Sequence, residues 1–180
     1  MKYLISLILF LLAIASCKGP EPRRAVKKSS GNIIKESVAR NKRLLKEEEK
    51  LFKNIIEKDT IHEYIHSDVG SWYYYTNKNN ESNYTARPKD LVTMTYTILN
   101  VNNDTIYSYK DIDTINYKVD LQGLFPGLRH SVKLLKENET ATFLYPSSLG
   151  YGYHGDNKKI GINLPLKATI SILKIKKENQ

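Results

Sequence analysis

The 180-residue sequence has a single cysteine, Cys17, which excludes an intrachain disulfide and a metal cluster built on cysteines. It also lacks an apolar run long enough for a finished membrane helix, which takes about 20 residues; the stretch from Leu4 to Ala15 falls short. No internal repeat is visible. Excess charge of one sign is missing from most of the chain. The formal net charge is +9, but residues 18–50 hold eleven Lys/Arg against five Asp/Glu, whereas residues 51–180 hold sixteen against fourteen. Basicity therefore belongs to the N-terminal third, and no nucleic-acid-binding face is indicated beyond it. Hydrophobic residues make up 41 %, enough for a core in one modest domain with appendages.

The organisation follows from composition. Lys2, the apolar run and the small residues after it have the layout of a secretory signal over residues 1–16. Ile14-Ala15-Ser16-Cys17 resembles the lipobox of bacterial lipoproteins, in which the cysteine is lipidated and becomes the first mature residue; an ordinary signal peptide with a chance cysteine is the alternative. Residues 17–32 carry Pro, Gly, Ser and charge with little to bury and read as a flexible tether. Its Arg23, Arg24, Lys27 and Lys28 either lie on anionic lipid or are simply solvated. Residues 33–69 form a helical segment, with Leu44, Leu45, Leu51, Phe52, Ile55 and Ile56 recurring between charges; Asp59-Thr60 is a candidate break. Its apolar stripe has to pack, either on a second copy or on the chain's own domain.

His62-Glu63-Tyr64-Ile65-His66 has the form H-E-x-x-H, in which two histidines on one helix face hold zinc and the glutamate activates water. A third ligand is missing. Val69 and Trp72 stand where the extended motif has Gly and His, His130 and His154 lack ligand-like spacing, and Glu81 sits in an Asn-rich turn. The stretch reads as an exposed helix end with two solvated histidines, and no metal or other cofactor is expected.

Residues 70–178 turn strand-like. Strands are expected at about 71–76, 91–99, 105–109, 115–120, 140–145 and 168–175. One helical phase interrupts them: Leu128, Val132 and Leu135 form an apolar stripe. A single short helix among antiparallel strands predicts an α+β domain whose sheet wraps over the helix.

Within this region, "LFPGLRHSVKLLKENETATFLYPSSLGYGYHG" followed by "LPLKATISILKI" resembles the FK506-binding-protein (FKBP) type of peptidyl-prolyl cis-trans isomerase over roughly residues 71–176. The turn opening the helix, the corner before the next strand, the Pro-to-Gly-Tyr-Gly loop and the segment entering the last strand occur in the family's order. The whole-chain layout, with its lipobox, "NKRLL" segment and "WYYY" strand, is similar to the gliding-motility-associated isomerase lipoproteins of Bacteroidetes. The resemblance implies a lipid-anchored isomerase of the cell envelope, facing the periplasm, acting on proline-containing polypeptides. Lys18 after the cysteine, in place of aspartate, points to the outer membrane.

The family's roles map residue by residue. Tyr96 matches the strand tyrosine of the proline pocket, and Leu124 and Phe125 the apolar pair of the turn, with the Phe125 N–H facing a substrate carbonyl. Leu128 takes the floor, where many members have tryptophan. Tyr151 matches the loop tyrosine that hydrogen-bonds an amide carbonyl. Leu164 and Ile172 match wall positions, and Ile115 and Tyr117 supply the remaining wall. Two positions depart from the pattern: Ile106-Tyr107 stands in place of the usual Phe-Asp, and Leu128 has no ring. These departures keep a second class in view, a non-catalytic binding module or scaffold.

Overall fold

The computed structural model of the chain describes residues 30–178. The expected signal peptide, Cys17 and most of the tether lie outside the described residues. The chain divides into two compact units, residues 1–37 and 38–180. Of the first, the described part is the opening of helix α1 (Ser30–Lys58), so residues 30–32, expected in the tether, are helical. Ile33 and Ile34 are exposed there.

In the second unit α1 continues with Glu48 and Phe52 buried one turn apart and Leu44, Leu51, Ile55 and Ile56 half-buried. The helix stops at Lys58, at the candidate break Asp59-Thr60, and the helical segment expected beyond it toward residue 66 does not form. Asp59 explains the stop: its carboxylate accepts the N–H groups of Ile61 (3.1 Å) and His62 (3.3 Å), offering the backbone a turn that competes with helix. Residues 62–64 are irregular, and Ile65–His66 forms strand β1 against Trp72 and Tyr73. The H-E-x-x-H stretch is therefore not helical, and its histidines do not share a helix face. The half-buried His62 ring stacks on Tyr74 at 3.9 Å and its Nδ1 lies 2.8 Å from Asp59. His66 stays exposed, with its ring 4.5 Å from Trp72.

The remaining strands are β2 (Trp72–Asn77), β3 (Leu91–Asn100), β4 (Thr105–Tyr107), β5 (Ile115–Lys118), β6 (Thr140–Tyr145) and β7 (Leu166–Lys176). They pair antiparallel in the order β1-β2-β6-β7-β3-β4, with β5 also on β3. Strand β3 holds β7 along one edge from Leu91↔Lys176 to Asn100↔Leu166. Its other edge is shared: β5 pairs with Leu91 to Met94, and β4 with Ile98 and Leu99. The one-turn helix α2 (Tyr109–Ile112), opened by a Ser108–Asp111 capping box, bridges β4 and β5. Helix α3 (Pro126–Val132) lies against the sheet's inner face.

The core forms between α3 and that face. Leu128, Val132 and Leu135 are fully buried, as the apolar stripe predicts, although Leu135 lies just beyond the helix end. On the sheet side Val92, Met94 and Ile98 alternate along β3, and Leu166, Ala168, Ile170 and Ile172 along β7. Tyr73, Phe143 and Tyr145 stack across β2 and β6 at 4.9 and 5.7 Å, a cross-strand aromatic ladder.

Candidate active site

The floor is built where α3 begins. Pro126 occupies the first turn of α3, where its fixed φ suits the helix and its missing N–H costs nothing. Gly127 follows because nothing larger fits: a Cβ there would meet the Tyr145 ring at 2.6 Å and the Leu149 carbonyl at 2.9 Å. The helix start thus closes onto β6 and the loop after it. Phe125, the N-cap, is extended, so its N–H lies outside the helix's own ladder. Its ring meets Tyr145 edge-on at 5.5 Å and Tyr151 at 5.3 Å. The Tyr145 hydroxyl is paired with Ser131 Oγ at 2.6 Å, so the buried floor leaves no phenol unsatisfied.

Tyr96, Ile115, Leu124, Tyr151 and Leu164 are half-buried and pack on the core cluster to which Phe125 belongs. Tyr96 sits on β3 between the ends of the β5 and β4 pairings, where that edge of the strand is open. It points to the same face as Met94 and Ile98. The loop between β6 and β7 is tied by Asn163 N–H to the Gly152 carbonyl at 2.8 Å. Leu128, Tyr117 and Ile172 are placed deeper, at 0 %, 2 % and 1 % exposure. They belong to the buried core, and the Tyr117 hydroxyl accepts the Asp120 N–H at 3.2 Å.

Asp156 is the functional candidate that sequence reasoning passed over. Tyr107, on β4, donates its hydroxyl to Asp156 Oδ2, while Oδ1 accepts the N–H groups of Lys158 and Ile160, each at 2.8 Å. Gly155 has φ +65, and a Cβ there would come within 2.4 Å of the Ile160 carbonyl, so only glycine can precede the aspartate in this tight turn. Where the family pattern has a strand aspartate, this chain has a strand tyrosine and takes the carboxylate from the loop. The hint in the sequence was a Gly-Asp-Asn turn eight residues before Leu164.

The shifted groups of the site, Tyr96, Tyr107, Tyr151 and Asp156, all move away from neutrality. The Tyr151 hydroxyl is pushed up to about 12, chiefly by burial, with Tyr96, Asp156 and Tyr107 adding to the rise; the four groups therefore share one neighbourhood. Tyr96 is also raised by burial. Burial works against the Asp156 charge, but the hydrogen bonds from Tyr107, Ile160 and Lys158 outweigh it and hold the carboxyl low. The arrangement is an aromatic group, Phe125 against Tyr151 with Tyr96 and Tyr107 beside it, next to the Asp156 carboxylate.

The described domain is an antiparallel sheet with helix α3 packed on it and the Phe125 and Tyr151 rings in contact at the helix start. The family model for "FKBP-type peptidyl-prolyl cis-trans isomerase" matches residues 82–173, just over half of the chain, and the chain belongs to that family. A curated relative, "Probable FKBP-type peptidyl-prolyl cis-trans isomerase FkpA" of Neisseria meningitidis serogroup B, is 42 % identical over 55 residues. That match covers 31 % of this chain and only 20 % of the relative's length. Among solved structures, FkpA from Escherichia coli superposes with a TM-score of 0.60 at 17 % identity, covering 97 % of this chain and 81 % of that one, a likeness of fold.

Proposed function

We propose that the chain is a peptidyl-prolyl cis-trans isomerase that assists the folding of exported or envelope proteins. Family membership supports the activity; the observation that carries it is the contact of Phe125 with Tyr151, beside Tyr96, on the core. The X-Pro bond resists rotation because resonance gives C–N partial double-bond character, and both isomers are populated. The twisted transition state has lost that resonance and is less dipolar than the planar amide. A water-poor aromatic cleft favours it over the ground state, and Tyr151 and the Phe125 N–H supply directed hydrogen bonds to flanking carbonyls. No proton transfer is needed.

The chain is further proposed to be lipid-anchored through Cys17 at the periplasmic side of the outer membrane, with clients that serve gliding motility. The whole-chain resemblance and the lipobox pattern support this. A binding module without turnover is the second reading, favoured by one feature: the Tyr107 hydroxyl already donates its proton to Asp156, so it has none to offer a substrate carbonyl. An isomerase assay on a soluble chain starting near Ser30, with an apolar residue before proline, decides between them. Acceleration over buffer supports the enzyme; none, from a folded sample, supports the module.

A further inference from the structure

The N-terminal helix reaches the loop that carries Tyr151. Ser147 opens the 3-10 turn Ser147–Leu149 directly after β6 and is buried. Its N–H donates to Glu48 Oε2 on α1 at 3.1 Å. Its carbonyl accepts the N–H groups of Gly150 (3.0 Å) and Gly152 (2.9 Å), the residues on either side of Tyr151. From the other side, Gly127 closes against the Leu149 carbonyl. The loop is thus gripped between α3 and α1.

Glu48 is an unusual residue to place there. It is 4 % exposed, while its neighbours Glu47 and Glu49 remain exposed. Its Oε1 is buried without a hydrogen-bond partner among the described residues. Burying a carboxylate so incompletely paired is costly, and burial pushes its pKa up despite the Ser147 bonds. Phe52, one turn further on and also buried, shows that this face of α1 is the docked one. An apolar residue in place of Glu48 would bury well but leave the Ser147 N–H without an acceptor.

We propose that Glu48 is a positioning residue for the Tyr151 loop. By holding the Ser147 N–H it fixes the carbonyl that ties Gly150 and Gly152, and so sets the Tyr151 hydroxyl over the cleft. The docked helix is then part of the isomerase site. This inference rests on the proline-pocket reading of the cleft.

Amide hydrogen exchange and peptide turnover of the full chain test it together. In Glu48→Ala, the Ser147, Gly150 and Gly152 amides should exchange roughly tenfold faster or more, the scale of a lost hydrogen bond to a charged group. The β6–β7 ladder amides of Phe143 and Ile170 should be unchanged, and kcat/KM on an X-Pro peptide should fall severalfold. Glu48→Gln keeps an oxygen acceptor and should restore both. Unchanged exchange at Gly150 and Gly152 would overturn the proposal, as would an acceleration spread equally over Phe143 and Ile170. A wild-type chain without turnover would count against the isomerase reading, while the exchange pattern would still decide the role of Glu48.

Discussion

Gly127→Ala should destabilise the protein, although the same change in an unconstrained helix stabilises by about 0.5–1 kcal/mol. The added Cβ would lie 2.6 and 2.8 Å from Tyr145 ring carbons and 2.9 Å from the Leu149 carbonyl. That is about 1 Å inside the usual 3.5–4.0 Å contact between carbon atoms. Neither neighbour can yield cheaply. Tyr145 is fully buried, stacked on Phe143 and bonded to Ser131, and Leu149 offers backbone. Overpacking of this kind costs about 1–3 kcal/mol, which exceeds the helix gain. At about 2–4 °C per kcal/mol for a chain of this size, Tm should fall by several degrees. Displacement of the Leu149 backbone should also lower turnover through Tyr151. The control is Gly123→Ala, where the Cβ meets nothing within 4 Å; it should be neutral or slightly stabilising. Thermal unfolding followed by circular dichroism measures both. A Gly127→Ala protein as stable as wild type would show that the loop and helix do not close as tightly as the geometry states.

Tyr107→Phe and Asp156→Asn should each lower turnover, and the double variant should be no worse than either alone, because both remove one interaction; full additivity in the cycle would separate the two residues. Turnover should be flat between pH 6 and 8, since the Tyr151 hydroxyl is pushed up to about 12 and Asp156 is held low; a bell-shaped profile near neutrality would reveal an acid–base group. Stability should instead respond to acid through Asp59, whose carboxyl is lowered from 3.8 to about 2, first by the His62 hydrogen bond. A folded-state value below the unfolded one contributes stability that is complete above about pH 4 and lost as pH falls through about 2, so Asp59→Asn should flatten that limb of an acid titration. If Cys17 is lipidated as proposed, Cys17→Ala should abolish membrane attachment in fractionated cells while leaving turnover of the purified protein intact, since acyl chains would supply the anchor; retained membrane attachment would sink the lipoprotein reading.

Much of this protein was legible in the order of its residues. The stripe Leu128, Val132, Leu135 predicted α3, and strand-like composition predicted β3 and β7. Each is a local pattern, set by side-chain period and by backbone restrictions that neighbouring residues impose. Non-local contacts decided the rest. The H-E-x-x-H stretch has a helical spelling, yet the Asp59 turn and pairing of Ile65 with Tyr73 make it irregular and then strand. The carboxylate missing from β4 reappears 49 residues later as Asp156, facing Tyr107. Leu128, Tyr117 and Ile172, floor and wall candidates by the family resemblance, are all nearly fully buried, a depth that periodicity does not encode. The grip of Glu48 on Ser147 spans 99 residues. In the sequence Glu48 is one of three consecutive glutamates on a charged helix, and only the packing of α1 against the loop distinguishes it from the other two.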